Sequence, residues 1–276
     1  MRTFWTALLL AGIANCGAQA ETSVQRGKRV VDEALAALGG QAYLNIQNRV
    51  ETGRIYSSYN DKVSGMAVDA LYTNYLPRPD PPVPGFLGVR VRDARGRKPE
   101  EIVLKKQDDI ILYTDGTGYE ITFRGVRPLS DSVIQQFKTA TLHSIFYILR
   151  QRLGEPGLEF DGRGADFFDN RPVEIVDIID DNNDKVTVYF DQLTKLPARQ
   201  LYYRRDPIDN SKVEDVTIFN KYRDVGGGVM WPFAIRRERN GEKIFEMYAE
   251  TVKINQDFKD SMFTLPPGLQ LLKKDK

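Results

Sequence analysis

RPVEIVDIIDDNNDKVTVYFDQLTKLPARQLYYRRDPIDNSKVEDVTIFNKYRDVGGGVMWPFAIRRERNGEKIFEMYAETVKI, residues 171–254, decides the architecture. Six segments in it are rich in Val, Ile, Tyr and Phe: Pro172 to Asp180, Lys185 to Asp191, Pro197 to Arg205, Val213 to Arg223, Val229 to Glu238 and Lys243 to Ile254. Compact turn signals separate them, among them Asp181-Asn182-Asn183-Asp184, Asp206-Pro207-Ile208-Asp209-Asn210, Gly226-Gly227-Gly228 and Asn240-Gly241. Short strands at near-even spacing with such turns predict an antiparallel meander. Alternation gives the meander one apolar face. Val229, Trp231, Phe233 and Ile235 share a side, as do Phe245, Met247 and Ala249, Leu201 and Tyr203, Val216 and Ile218, and Val186 and Val188. Outward positions hold Arg204, Asp215, Arg236 and Glu250. A sheet with one apolar face must cover it with helix or with a bound apolar ligand. Pro232 inside a strand marks an edge or a bulge.

Upstream of the meander the period changes. From Ser130-Asp131 to Leu153, residues Leu142, Ile145, Phe146, Leu149 and Leu153 fall on one helical stripe, and Gly154 closes it. Val133, Ile134, Phe137 and Ile148 widen that stripe, so the helix is expected to lie across the concave face of the sheet. Gly154 to Gly164 reads as a loop. Further upstream, Glu101 to Lys106, Asp109 to Thr114 and Tyr119 to Arg124 read as strands, the last two a hairpin around Asp115-Gly116-Thr117-Gly118. Val50 to Tyr59 and Val63 to Tyr75 are two more, joined at Asn60-Asp61. Between Leu76 and Phe86, five prolines in eight residues (77–84) make a stiff extended loop. Val24 to Leu38 reads as an amphipathic helix with Ser23 as its N-cap and Gly39-Gly40 as its stop.

The first twenty residues read as a secretory signal. Arg2 supplies the positive end, Ala7 to Ala14 the apolar run, and Ala18-Gln19-Ala20 the cleavage site. Residues 21–276 then form a single domain of 256 residues, with the only cysteine, Cys16, removed. Export without disulfides points to a bacterial periplasm or outer-membrane surface. Without Arg2, 38 basic residues balance 38 acidic ones, which argues against a nucleic-acid partner. No later segment is long and apolar enough to span a membrane.

Chemistry is sparse. His143 is the only histidine, so histidine-dependent hydrolysis would have to use it, and multi-histidine zinc sites are excluded. No G-x-S-x-G elbow and no phosphate-cradling glycine loop is present. Asp180-Asp181-Asn182-Asn183-Asp184 looks like the start of a calcium loop. Lys185 stands where that loop needs glycine, so a hairpin turn explains these residues better. Asp108-Asp109 reads as a turn. No catalytic residue, metal or cofactor is assigned, and the chain is expected not to be an enzyme.

Other residues resemble a known family. Ile218-Phe219-Asn220-Lys221-Tyr222-Arg223-Asp224, Gly228-Val229-Met230-Trp231-Pro232-Phe233, and Val252-Lys253-Ile254-Asn255 with Phe263-Thr264-Leu265-Pro266 are similar to LolA/LolB-like periplasmic lipoprotein-sorting proteins. Tyr189-Phe190-Asp191 with Leu196-Pro197, and Thr114-Asp115-Gly116 leading to Tyr119, add to the likeness. The resemblance implies a mainly β, α+β fold: a strongly curved antiparallel sheet forming a half-open β-barrel, with two or more helices over its mouth. It implies a lipid or acylated-lipoprotein ligand on the concave face. The expected ligand-binding residues are Leu142, Phe146 and Leu149 on a lid helix, and Leu201, Tyr203, Ile218, Trp231, Phe233, Ile235, Phe245 and Met247 on the sheet. The rival reading is a non-catalytic interaction domain for an envelope protein, engaged through the Pro77 to Phe86 loop or a strand edge.

Overall fold

The computed structural model describes residues 20–96, 108–206, 209–265 and 267–273. The signal segment up to residue 19 and the strand expected at Glu101 to Lys106 lie outside the described residues. Thirteen strands among the described residues form one antiparallel sheet. In chain order they are β1 Asn48–Tyr59, β2 Lys62–Tyr75, β3 Val89–Gly96, β4 Asp109–Thr114, β5 Thr117–Thr122, β6 Gly125–Pro128, β7 Glu159–Phe168, β8 Arg171–Ile179, β9 Lys185–Asp191, β10 Pro197–Arg205, β11 Lys212–Asp224, β12 Met230–Arg239 and β13 Glu242–Ile254. Their spatial order is β6-β5-β4-β3-β2-β1-β13-β12-β11-β10-β9-β8-β7. Two meanders therefore meet where β1 pairs with β13, and the outermost strands are β7 and β6, the latter bridged at Val126 by the tail residues Gln270 to Leu272.

The meander expected at 171–254 is present, within a residue or so at each boundary. Three strands were not foreseen. β3 and β6 are short and charged, and β7 occupies Glu159–Phe168, where a loop was expected through Gly164. Its glycines and acids give no apolar alternation, because its core contact is with a helix backbone. Gly27 on α1 (Ser23–Ala37) approaches β7 so closely that a Cβ there would sit 2.3 Å from the Phe160 carbonyl oxygen. The helix is capped by Thr22 rather than Ser23: the Thr22 hydroxyl accepts from the Gln25 N–H, and Gln25 Oε1 accepts from the Thr22 N–H. Pro232 sits on an inner strand, yet it pairs only with β11; the ladder to β13 begins at Ala234.

The chain crosses from β6 to β7 through the helical segment, and here the expected single helix is two pieces. α3 spans Asp131–Leu142; the chain then breaks at His143-Ser144, and α4 (Ile145–Tyr147) runs into a wide π-turn at Ile148–Arg152. Gln200 on β10 stabilises the break: its Oε1 accepts from the Ile145 N–H at 2.8 Å and its Nε2 donates to the His143 carbonyl at 3.3 Å.

α3 also reveals the curvature. Its Phe137 stacks on Tyr113 of β4 with ring centroids 3.7 Å apart, and His143 at its C-cap stacks on Tyr202 of β10 at 4.6 Å. Six residues of helix rise only about 9 Å. β4 and β10 are seven strand steps apart, about 34 Å along a flat sheet. The sheet must curl back on itself, and it remains unclosed between β6 and β7: a half-open barrel.

Candidate functional site

Cross-strand register divides the sheet into an inner face, covered by helices, and an outer face. One end of the inner face is filled. Val30, Val31, Ala34 and Leu38 of α1, Tyr43 of α2 (Gln41–Leu44), and Ile145, Phe146, Ile148 and Leu149 pack on Val176, Val186, Val188, Phe219, Trp231, Phe233 and Val252. Phe146 lies 4.6 Å from Trp231 and 5.0 Å from Phe219 between ring centroids. The segment after the break is fixed by polar contacts from several sides. Arg150 Nε and Nη2 donate to the Ile46 carbonyl at 2.9 and 2.8 Å. Arg152 Nε donates to Glu155 at 2.6 Å, its Nη2 to Asp180 at 3.0 Å, and its Nη1 to the Leu142 carbonyl at 2.8 Å.

Asp180 thus has two uses. Its Oδ1 accepts from the Asn182 and Asp184 N–H groups, making the turn the sequence indicated, and Oδ2 holds Arg152. The proline-rich loop is tied to the same segment. The Gly88 N–H donates to Tyr147 Oη at 2.7 Å, that hydroxyl donates to the Phe86 carbonyl at 2.8 Å, and Gln151 Nε2 donates to the Leu76 and Gly88 carbonyls.

The middle of the inner face carries a buried polar girdle. Glu51, 2% exposed, accepts from Arg49 Nε at 2.7 Å and from Trp231 Nε1 at 3.1 Å. Arg49 donates to Tyr75 Oη at 2.8 Å and Thr73 Oγ1 at 3.3 Å, and its guanidinium lies 3.9 Å from the Trp231 ring centre. The composition explains why: Glu51 and Arg49 are inner-face positions of β1, opposite Leu71 and Thr73.

Beyond the girdle the inner face is only half-covered. Leu71, Ile111, Ile235, Phe245 and Ala249 are partly buried there, while Ile55 and Met247 are buried beside them. Here the face also turns acidic. Asp69, Asp93, Asp109 and Glu120 share it with Arg95 and Arg127, Asp69 and Asp109 each standing directly opposite Arg95. Arg95 grips Asp93 with Nε and Nη2, and Arg127 reaches Glu120 at 3.5 Å. Burial, and then the neighbouring Asp93 charge, raise the Asp69 carboxyl far above the ordinary carboxylate range, to about 9. Burial raises Asp109 as well. α3 buries none of its own residues, resting on Tyr113 of β4 through Phe137 and ending at Tyr202 of β10 through its C-cap His143.

The sequence-derived site residues divide accordingly. Phe146, Leu149, Trp231 and Phe233 lie in the filled core, and Ile235 packs against it. Met247 and Phe245 continue the inner face, Phe245 beneath the Arg237 guanidinium. Leu142 is half-buried at the end of α3. Leu201, Tyr203 and Ile218 are on the other side. Leu201 and Ile218 form an outer cluster with Val216, Phe168 and Tyr189, and Tyr203 is exposed, its hydroxyl donating to Glu214 at 2.7 Å. Tyr202 and Phe219 are the inward residues of these strands. Both faces of β10 and β11 are apolar, so alternation could not tell inside from outside. The Asp69 cluster was missed because its members are scattered over four strands, two of them short.

No protein family and no curated protein matches the chain by sequence. Solved structures do match in shape. A DUF1329 family protein from Desulfovibrio piger superposes with a TM-score of 0.56 at 13% identity. A putative outer membrane lipoprotein-sorting protein domain from Vibrio parahaemolyticus does so at 0.54 and 12%. A LolA superfamily protein from Nitrosomonas europaea does so at 0.50 and 10%. Each match covers 87% of this chain and 97% of the other.

Proposed function

Because the chain has the LolA-like fold, we propose that it is an exported, non-catalytic carrier of lipid or lipoprotein acyl chains in the periplasm. The observation that carries this reading is the half-covered apolar stretch of the inner face, in a half-barrel crossed from β4 to β10 by a helix, α3, with no buried residue. An acyl chain lying along Leu71, Ile111, Ile235, Phe245 and Ala249 would remove their remaining apolar area from water. Each 100 Å2 so removed contributes about 2.5 kcal/mol. α3 is the lid in this reading, in place of the Leu142 to Leu153 segment suggested by the sequence. From Ile145 onward that segment is core, with Leu149 fully buried.

The chemistry is exchange of contacts rather than bond-making. His143 is committed to the helix break, with Nδ1 2.7 Å from the Thr139 carbonyl oxygen and its ring on Tyr202. The lipoprotein-sorting description of the Vibrio parahaemolyticus protein supports a lipidated cargo. Among the described residues no helix is long and apolar enough to cross a membrane, which suits a carrier that meets membranes only to load and unload.

The test is native mass spectrometry, with organic extraction, of protein purified from its own envelope without detergent. A co-purifying lipid or acylated peptide at near-stoichiometric amount is the expected result. A clean apo mass that also refuses added fatty acid and phospholipid would refute the carrier.

A further inference from the structure

The outer face of the sheet carries a hollow that the carrier reading leaves unused. Two cross-strand rows make its floor. Ile218, Arg236 and Glu246 stand side by side on β11, β12 and β13, and Asn220, Ala234 and Tyr248 form the next row. With strands about 4.8 Å apart and same-face residues about 6.7 Å apart, this floor measures about 10 by 7 Å. Ala234 is the middle residue of the second row, and its methyl fills far less space than the side chains around it. The cavity over it has a volume of about 310 Å3. Small-molecule sites span about 300–1,000 Å3, so one small ring is the size that fits.

One wall comes from elsewhere in the chain. Phe168 and Asp169, where β7 turns into β8, reach back to the hollow from strands three and four places beyond β11 in the sheet. This wall is held in place. Phe168 packs on the outer cluster of Leu201, Val216 and Ile218, and the Arg199 guanidinium lies 5.6 Å from its ring centre and 5.0 Å from that of Tyr189. A wall formed in advance spares a ligand the cost of ordering it.

The lining selects a neutral ring rich in hydroxyls. Ile218 and Ala234, 6% and 8% exposed, offer an aliphatic floor, and Phe168 and Tyr248 offer ring surface. The charges at the rim are already matched. Arg236 pairs with Glu238 at 2.8 Å, Glu246 with Lys243 at 3.1 Å, and Asp169 with Arg171 at 3.8 Å. An ionic ligand would have to compete with these pairs. Hydroxyl groups need not, because a paired carboxylate keeps free lone pairs and a paired guanidinium keeps free N–H donors. The half-buried Asn220 carboxamide, by contrast, has no hydrogen-bond partner among the described residues. It presents donors and an acceptor side by side, the pattern that meets two neighbouring hydroxyls. A fatty chain here would take water from Asn220 and the charged rim and return nothing.

We propose that this hollow binds one pyranose ring of a saccharide, its C–H face on Ala234 and Ile218 beside Phe168, its hydroxyls on Asn220, Arg236 and Glu246. The site is on the opposite face from the lipid trough and does not rest on the carrier reading.

Saturation-transfer NMR on the full mature protein at pH 7 tests it with methyl α-glucoside, methyl β-galactoside, methyl α-mannoside and N-acetylglucosamine, and with uridine and benzoate as a flat heterocycle and an aromatic anion. At least one pyranoside should bind saturably below about 10 mM. Maltotetraose and chitotetraose then name the source: binding tighter than that of the single sugar means a glycan, equal binding a lone sugar residue. Ala234→Leu fills the hollow and should weaken binding at least about tenfold. Should that variant not fold, Asn220→Ala is read in its place and should weaken binding about three- to tenfold, the worth of one hydrogen bond. Failure of all four pyranosides to bind overturns the proposal. So does affinity that the folded variant leaves unchanged, which would put the sugar elsewhere. Tighter binding of uridine or benzoate than of any pyranoside overturns the saccharide.

Discussion

Asp69 makes the stability of the fold depend on pH in a direction opposite to that of most carboxylates. In the unfolded chain an aspartate titrates near about 3.9. In the folded chain Asp69 titrates at about 9, because burial and the adjacent Asp93 charge disfavour its ionised form. Between those values the native state holds a proton that the unfolded state does not. Stability therefore falls as pH rises, by up to about 1.4 kcal/mol per unit. From pH 5 to pH 7 this amounts to about 3 kcal/mol at most, roughly 5–10 °C in melting temperature for a domain of this size. Asp109, raised by burial, acts in the same direction; of the other groups facing Asp69, Arg95 lowers its pKa and Glu51 raises it. The comparison is with Asp69→Asn, a neutral group of the same shape that can still donate to Asp93. Melting of the two proteins, followed by circular dichroism at half-unit steps from pH 5 to pH 8, should show similar values at pH 5 and a widening advantage for the variant above it. Parallel curves across this range would refute the reasoning, since they would mean that Asp69 is ionised in both states.

Glu51→Ala should cost about 3–5 kcal/mol in chemical denaturation, because it strands the buried Arg49 and the Trp231 indole N–H together. Gly27→Val should push α1 off β7, since its Cβ would meet the Phe160 carbonyl; the expected loss is about 1–3 kcal/mol, with new protease sensitivity in residues 20–40. Phe146→Asp places a charge among Phe219, Trp231 and Leu149 and should prevent folding, which gel filtration and near-ultraviolet dichroism would show at once. Phe137→Ala removes only the stack on Tyr113 and should keep the melting temperature within about 2–4 °C while speeding lipid exchange.

The fold was legible where side chains alternate between a covered and an exposed face, and the turns carry Asn, Asp and Gly. Eleven of the described residues other than glycine take a left-handed φ, and six of them are asparagines, among them Asn60, Asn183 and Asn240 in hairpin turns. Strands whose contacts are unusual were hidden. β7 packs glycine to glycine, with Gly27 of α1 against Gly162, and so lacks the apolar alternation that announces a strand. The helix break was hidden for another reason: the apolar stripe continues across it through Leu142, Ile145 and Phe146, and side chains from elsewhere, Gln200, 55 residues further on, and Arg152, satisfy the groups it frees. Tertiary partners decide such features, and a single sequence does not display them.

The same contrast explains how one crossing segment both seals the trough and leaves it accessible. After the break, Arg150, Gln151 and Arg152 are buried and bonded to three different parts of the chain, so lifting that part would expose several charged or polar groups' partners at once. Before the break, α3 buries no residue and is held by two ring stacks, at Tyr113 and Tyr202, by half-buried apolar side chains, and by the Arg152 hydrogen bond to the Leu142 carbonyl. Such stacks contribute about 0.5–1.5 kcal/mol each beyond the area they bury. Raising α3 would cost these stacks together with the area that Ile134, Phe137 and Leu142 half-bury, so a ligand that holds the helix raised must return comparable apolar contact. The His143-Ser144 break confines the motion to α3, because the Gln200 hydrogen bonds anchor the first turn of α4 to β10 while α3 moves. A continuous helix from 131 to 153 would have transmitted every movement of the lid into the core.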